Sequence, residues 1–226
     1  MGGKIEAYLD CPSPYSYYAF LHLLRNRDVL ESHGVEIDVH PVFLGGINAG
    51  SGNKPPWTLP AKAAYGQFDR VRAGKYFGVD DFKVPSFFPP LTILPQRCAT
   101  YIKQNYPRER FENTFLLYWK YMFYKNIDLS KPEGMTELLE EANFSKGEID
   151  RILTSAKTDE IKKALADRTQ EALDRGAFGA PWFWVRHAET GREEPFFGSD
   201  RFHFMWGFLG IPFDDVKIRP AEKAKI

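Results

Sequence analysis

Cysteine is scarce in this chain: Cys11 and Cys98 are the only two among 226 residues. Two thiols are too few for a cysteine-rich zinc site, and they point to a reducing compartment with both thiols free. An excess of charge of either sign is missing as well. Lys and Arg total 30, Asp and Glu total 30, and the formal net charge is zero. A general electrostatic affinity for nucleic acid or for an anionic membrane surface is therefore not expected. No apolar run reaches the length of a membrane span, so no membrane partner is expected either. The five histidines, His22, His33, His40, His187 and His203, show no ligand spacing, and no metal is expected.

Aromatic residues, at 15%, are abundant, as are proline (16) and glycine (18), which suits aromatic-lined surfaces and shaped loops. The length allows one or two domains with a real core. Met1-Gly2-Gly3 runs directly into a strand-like segment, leaving no room for a leader, and Glu6 stands where a myristoylation signal needs Ser or Thr. The last residues, Ala224-Lys225-Ile226, match a peroxisomal tripeptide only loosely. The expected location is intracellular and reducing: cytoplasmic first, with mitochondrial or peroxisomal as alternatives.

Residues 5–10 alternate as a strand, with Ile5, Ala7 and Leu9 on one face. Ser13 is a good N-cap and Pro14 a good first helical residue. Tyr17, Phe20, Leu21, Leu24 and Leu30 then predict a helical stripe up to Gly34. Val35, Ile37 and Val39 alternate as a second strand ending at Pro41. Residues 45–60, rich in Gly, Asn and Pro, read as a long shaped loop. Helical patterns follow for more than a hundred residues. Phe111, Phe115, Tyr118, Met122 and Phe123 recur at helical spacing, and the aromatics Tyr65, Phe68, Tyr118, Trp119 and Tyr121 read as core or helix-packing residues. Ser130 with Glu133, and Ser145 with Glu148, are capping-box signatures. A helix opening at Thr158 buries Ile161, Ala164, Leu165, Ala172 and Leu173, and Gly176 ends it. Residues 87–95 read as a rigid, proline-rich connection.

Strands return at Trp182-Phe183-Trp184-Val185, paired through a turn at Gly191 with Pro195-Phe196-Phe197. Ser199 and Asp200 can cap a final helix through Phe204, Trp206 and Leu209. The order is β-α-β, a helical block, then β-β-α. It predicts an α/β fold: a thioredoxin-like domain (residues 1–56 and 176–226) interrupted by an all-helical inserted domain (57–175).

In that fold the junction after the first strand carries a C-x-x-C redox pair. Here it reads Ser13-Pro14-Tyr15-Ser16. Dithiol–disulfide exchange is excluded at this junction, but a hydroxyl at a helix N-terminus can hold another molecule's thiolate. Ser13 taken alone reads as a plain N-cap, the usual job of a serine before a helical proline. Four segments in order, Ser13-Pro14-Tyr15-Ser16, Ser51-Gly52-Asn53-Lys54-Pro55-Pro56, Gly176-Ala177-Phe178-Gly179-Ala180-Pro181 and Phe197-Gly198-Ser199-Asp200-Arg201, resemble the kappa-class glutathione transferases.

That resemblance implies glutathione as the cofactor, a homodimer, and a role for each matched residue. Ser13 would donate to the sulfur, with Pro14 opening the helix and the N–H groups of Tyr15 and Ser16 adding positive dipole. Pro181 would be a cis-proline exposing the backbone of Ala180 to the cysteinyl part. Asn53 would reach the peptide from the other side. Ser199 and Asp200 would hold the γ-glutamyl end, and Lys62 and Arg201 would steer carboxylates. Family members often carry a larger aliphatic residue where this chain has Ala180. The implied activity is conjugation of the thiolate to small electrophiles; a glutathione-dependent isomerase of the 2-hydroxychromene-2-carboxylate type, or a cis–trans isomerase, is the alternative. A scaffold that binds glutathione without turnover is a third reading. Cys11 reads as a structural thiol or, given the nearby helix start, a reactive one; Cys98 reads as core.

Overall fold

The alternation at Ile5, Ala7 and Leu9 becomes strand β1 (Gly3–Leu9), with those side chains fully buried on one face and Tyr8 on the other. β1 pairs in parallel with β2 (Val35–Pro41) and antiparallel with β3 (Trp182–His187), which pairs with β4 (Glu193–Phe197). The sheet order is β2-β1-β3-β4. The computed structural model describes residues 2–79 and 81–214; Ala224-Lys225-Ile226, on which the peroxisomal reading rests, lie outside the described residues.

Between β1 and β2 run α1 (Pro14–Arg25) and α2 (Arg27–Ser32), so the single helix expected up to Gly34 is broken at Asn26. The Asn26 amide folds back onto the His22 carbonyl at 2.8 Å and ends α1 there. Tyr18, Ala19 and Leu23 are buried with Phe20, while Tyr17, Leu21 and Leu24 are half-buried. α1 is claimed from two sides, by the sheet and by aromatic rings at Phe77, Phe82 and Trp119, so its buried face is wider than one stripe.

After β2 come α3 (Leu44–Ser51), α4 (Pro60–Tyr76), α5 (Ile93–Asn105), α6 (Arg108–Phe123), α7 (Pro132–Glu141), α8 (Lys146–Ser155) and α9 (Asp159–Asp174); α10 (Phe202–Leu209) closes the order. One buried cluster runs from Ile5 and Leu9 through Phe20 to Phe115, Trp119 and Leu138. The sheet and the helical block therefore share a core.

Several expectations are corrected. Residues 45–60 are not loop throughout, because α3 occupies their first half. Its glycines serve close packing: a Cβ on Gly46 would lie 3.2 Å from Thr169 Cγ2, and one on Gly50 2.5 Å from Leu173 Cδ1. Ser145 and Glu148 do form a capping box, but Ser130 and Glu133 do not. Pro132 suits the first helical position and starts α7 after Lys131, while the Ser130 N–H goes to Asp128 Oδ1 at 2.9 Å. Ser199 and Asp200 do not cap α10; its N-cap is Arg201, with no side-chain cap bond. Tyr118, Trp119 and Tyr121 are buried, whereas Tyr65 and Phe68 are exposed on α4. Helical spacing marks a face without saying whether anything covers it. Pro95 already lies inside α5, so the proline-rich connection ends before it.

Candidate functional site

Ser13 takes the N-cap of α1 and Pro14 its first position. Ser13 Oγ accepts the Ser16 N–H at 3.1 Å and donates to the Ala180 carbonyl at 3.0 Å. Its hydrogen thus points away from the helix, toward residues 176–181. The Ser16 N–H, to which the resemblance assigns positive dipole toward the sulfur, is taken up by the cap, which is how a helix satisfies an orphan donor in its first turn. The Tyr15 N–H has no acceptor among the described residues. The backbone of Ser13 is held as firmly. Its N–H donates to the Asp10 carbonyl at 3.2 Å, and Trp119 Nε1 donates to its carbonyl at 2.9 Å.

The Ala180–Pro181 peptide is cis, and the Pro181 carbonyl accepts the Gly198 N–H at 3.1 Å. Gly198 holds φ +90°, and a Cβ there would stand 2.8 Å from Asp200 Oδ1, so only glycine suits this turn. Ser199 is buried, while Asp200 is exposed and ion-paired with Arg201. Asn53 Nδ2 donates to the Phe178 carbonyl at 2.6 Å. Ser13, Asn53, Ala180, Pro181 and the turn at Ser199 therefore meet around one loop. Lys62 stands exposed on the first turn of α4; among the described residues no hydrogen bond or ion pair joins it or Arg201 to that loop. α4 is nevertheless fastened to α1: Tyr15 donates to Asp69 Oδ2 at 2.5 Å and Tyr65 to Oδ1 at 3.1 Å. Burial and the Asp69 carboxylate raise the pKa of the Tyr15 hydroxyl, so it acts as a donor.

Cys11 is fully buried, and burial pushes its thiol well above the usual range, so the structural reading fits and the reactive one does not. Burial pushes Cys98 up to about 12. His40, which sequence spacing left isolated, meets two carboxylates: its Nε2 lies 3.3 Å from Glu6 Oε1 and 3.3 Å from Asp38 Oδ2. These ligand atoms lie within 4.8 Å of one another. Cations already neutralise the group, with Lys103 Nζ 2.5 Å from Asp38 and 2.8 Å from His40 Nδ1, and Arg175 2.8 Å from Glu6. A cavity of about 400 Å³ lies where α3 meets the end of α9, and another of about 330 Å³ where β2, α5 and α9 meet. Neither includes Ser13.

The family model described as DSBA-like thioredoxin domain matches residues 4–210. Glutathione S-transferase kappa 1 of Caenorhabditis elegans is 32% identical over 217 residues, covering 92% of each chain. The chain belongs to the kappa-class glutathione transferases, and it is an enzyme. Glutathione S-transferase kappa 1 of Homo sapiens is 28% identical over 231 residues, covering 98% of this chain and 97% of its own. Among solved structures, a 2-hydroxychromene-2-carboxylate isomerase superposes with a TM-score of 0.74 at 16% identity, covering 92% of this chain and 94% of its own. The cytosolic disulfide reductase DsbM from Pseudomonas aeruginosa with GSH gives 0.60 at 14% identity, covering 92% and 97%. At such identities the likeness is one of fold.

For this kappa-class chain, sequence reasoning missed the partners that hold Ser13 in place. Trp119 reaches it from α6, and Asp69 anchors Tyr15 from α4; neither has a local signal. Asp10 did have one, since an acidic residue closing an apolar strand must find donors if it is buried.

Proposed function

We propose that this chain binds glutathione with the sulfur at Ser13 and adds the thiolate to small electrophiles. The Ser13 hydroxyl carries the reading: it sits at the start of a 12-residue helix with its hydrogen turned to Ala180. On binding, that hydrogen swings to the sulfur, and the freed Ala180 carbonyl accepts the cysteinyl N–H as an added strand would. Pro14 and Tyr15 form the floor, with the Tyr15 N–H adding positive dipole. Asn53 reaches the peptide from α3's side. Asp200 exchanges Arg201 for the γ-glutamyl ammonium, Ser199 takes the carboxylate beside it, and Lys62 and Arg201 steer the remaining charge.

The magnitudes suffice without a side-chain base. A hydrogen bond to a charged group contributes roughly 1.5–3 kcal/mol and a helix terminus about 0.3–1 kcal/mol. Together they lower a thiol pKa by roughly 1.3–3 units at about 1.36 kcal/mol per unit. The thiol proton leaves to solvent, the thiolate forms a C–S bond, and a leaving group such as halide departs with its electron pair.

Residues 1–56 and 176–226 form the glutathione-binding unit, and residues 57–175 wall the second substrate. The assembly is a homodimer, testable by sedimentation. No helix among the described residues is long and apolar enough to cross a membrane, and two buried free thiols suit a reducing compartment, the cytoplasm first.

The test is a glutathione titration across pH, following thiolate absorbance, then addition of an aryl halide. A bound thiol pKa below that of free glutathione, with conjugate formed, is expected. A lowered pKa without conjugate favours the isomerase, in which the thiolate adds to an unsaturated substrate and is expelled after bond rotation. No binding overturns the proposal.

A further inference from the structure

Beneath the Ser13 turn lies a carboxylate that no ion pair reaches among the described residues. Asp10 is fully buried, three residues before Ser13, whose N–H donates to the Asp10 carbonyl. Its Oδ2 accepts the Leu44 N–H at 2.7 Å and the Thr92 hydroxyl at 3.0 Å, and its Oδ1 accepts Gln96 Nε2 at 2.6 Å. Leu44 is the first residue of α3, Thr92 the N-cap of α5, and Gln96 lies in the first turn of α5. Two helix starts thus converge on one carboxylate. The leading influences on its charge are burial and the hydrogen bonds from Leu44, Thr92, Gln96 and Cys11. Such a group is costly to bury even when hydrogen-bonded, and an apolar or amide side chain would be cheaper if the fold were all it served.

We propose that Asp10 is a positioning residue of the thiolate site: its carboxylate ties the Ser13 turn to the starts of α3 and α5, and its charge is coupled to that of the bound glutathione sulfur. This inference rests on the glutathione reading above. Burial pushes the Asp10 carboxyl up to about 7, so it changes charge in the range where a stabilised thiolate forms. The titratable group facing it is the thiol of Cys11 on its own turn; the Cys11 and Cys98 thiols in turn act on the Tyr118 hydroxyl of α6. Burial raises all three, and all stay neutral near pH 7. α3 and the first turn of α1 carry no charged side chain, and on α5 the cation next to Gln96 is Arg97, which makes no ion pair with Asp10 among the described residues. Asp10 and the thiolate are then the charges that oppose each other there, and each raises the other's proton affinity.

Asp10→Asn keeps an oxygen for Leu44 and Thr92 and removes the charge; Asp10→Ala removes both. Thiolate absorbance of bound glutathione is followed from about pH 5 to about pH 9 for the full chain, these variants and Ser13→Ala. For the wild-type chain, a titration broader than one proton is expected. Asp10→Asn should give a one-proton curve displaced to lower pH, and Asp10→Ala should lose most of the band and of kcat. Without any ligand, the melting temperature of the wild type relative to Asp10→Asn should fall as pH rises toward 8. That readout keeps the test decisive if Asp10→Ala does not fold. An Asp10→Asn curve superimposable on wild type, or a melting difference independent of pH, overturns the inference while Ser13→Ala still loses the band. An unchanged band in Ser13→Ala overturns instead the glutathione reading beneath it.

Discussion

A hydroxyl offers one hydrogen and two lone pairs, and at Ser13 each use has a consequence. A lone pair caps α1 by accepting the Ser16 N–H, which leaves the hydrogen free to be shared between Ala180 and a sulfur. Ser13→Ala removes the sulfur's donor but not the peptide pairing at Ala180. Glutathione should still bind, with a weaker thiolate band and kcat lower by roughly 10- to 100-fold, the equivalent of one charge-assisted hydrogen bond. Ser13→Thr, which keeps donor and cap, should restore most of the loss; turnover of Ser13→Ala equal to wild type removes Ser13 from the reaction. Trp119→Phe tests the backbone side. It leaves the Ser13 carbonyl with the Tyr17 N–H alone, at 3.3 Å, and should cost about 1–3 kcal/mol in urea unfolding. Ser13 and Pro14 were legible because capping is local chemistry. Trp119 was not, since its bond to Ser13 spans 106 residues.

Glycine at the scale of an element reads two ways, as permission to turn or as room for a neighbour. In α3 it is the second: α3 packs on α9, and Thr169 Oγ1 accepts the Phe43 N–H at 3.0 Å. Composition alone favours a loop there, and only the approach of α9 decides for a helix. Gly74 in α4 gives a sharper case. In an exposed helix, Gly→Ala stabilises by about 1 kcal/mol. Here a Cβ would meet the Val79 carbonyl oxygen at 2.8 Å, an atom fixed by backbone, so Gly74→Ala should instead destabilise by about 1–3 kcal/mol. Thermal unfolding checks the sign. The start of α7 follows the same logic, since both Ser130 and Pro132 signal a helix start and the proline's fixed geometry prevails.

Across the whole molecule, a charge network joins the sheet to the inserted helices: Glu6 of β1, Asp38 and His40 of β2, Lys103 of α5, and Arg175 just after α9. His40 and Arg175 hold the Glu6 carboxyl down to about 2 against burial. Its folded pKa is below the unfolded value, so its contribution is present above about pH 4.5 and is lost as pH falls toward 2. Glu6→Gln should therefore be less stable than wild type at neutral pH, by on the order of 1–2 kcal/mol after solvent screening, and the difference should vanish near pH 2. A melting-temperature gap constant across that range contradicts the assignment. The sequence by itself settled the strands, the caps at Ser13, Ser145 and Thr158, the thioredoxin-like order and the absence of a dithiol. Each of these rests on residues a few positions apart, where alternation, capping and missing thiols act directly. The helix hidden in a glycine-rich stretch, the bare face of α4, the meeting of Ser13 with Ala180 and the burial of Asp10 were decided by folding. They depend on which distant surfaces come into contact, and no local pattern encodes what will stand opposite a side chain once the chain has closed.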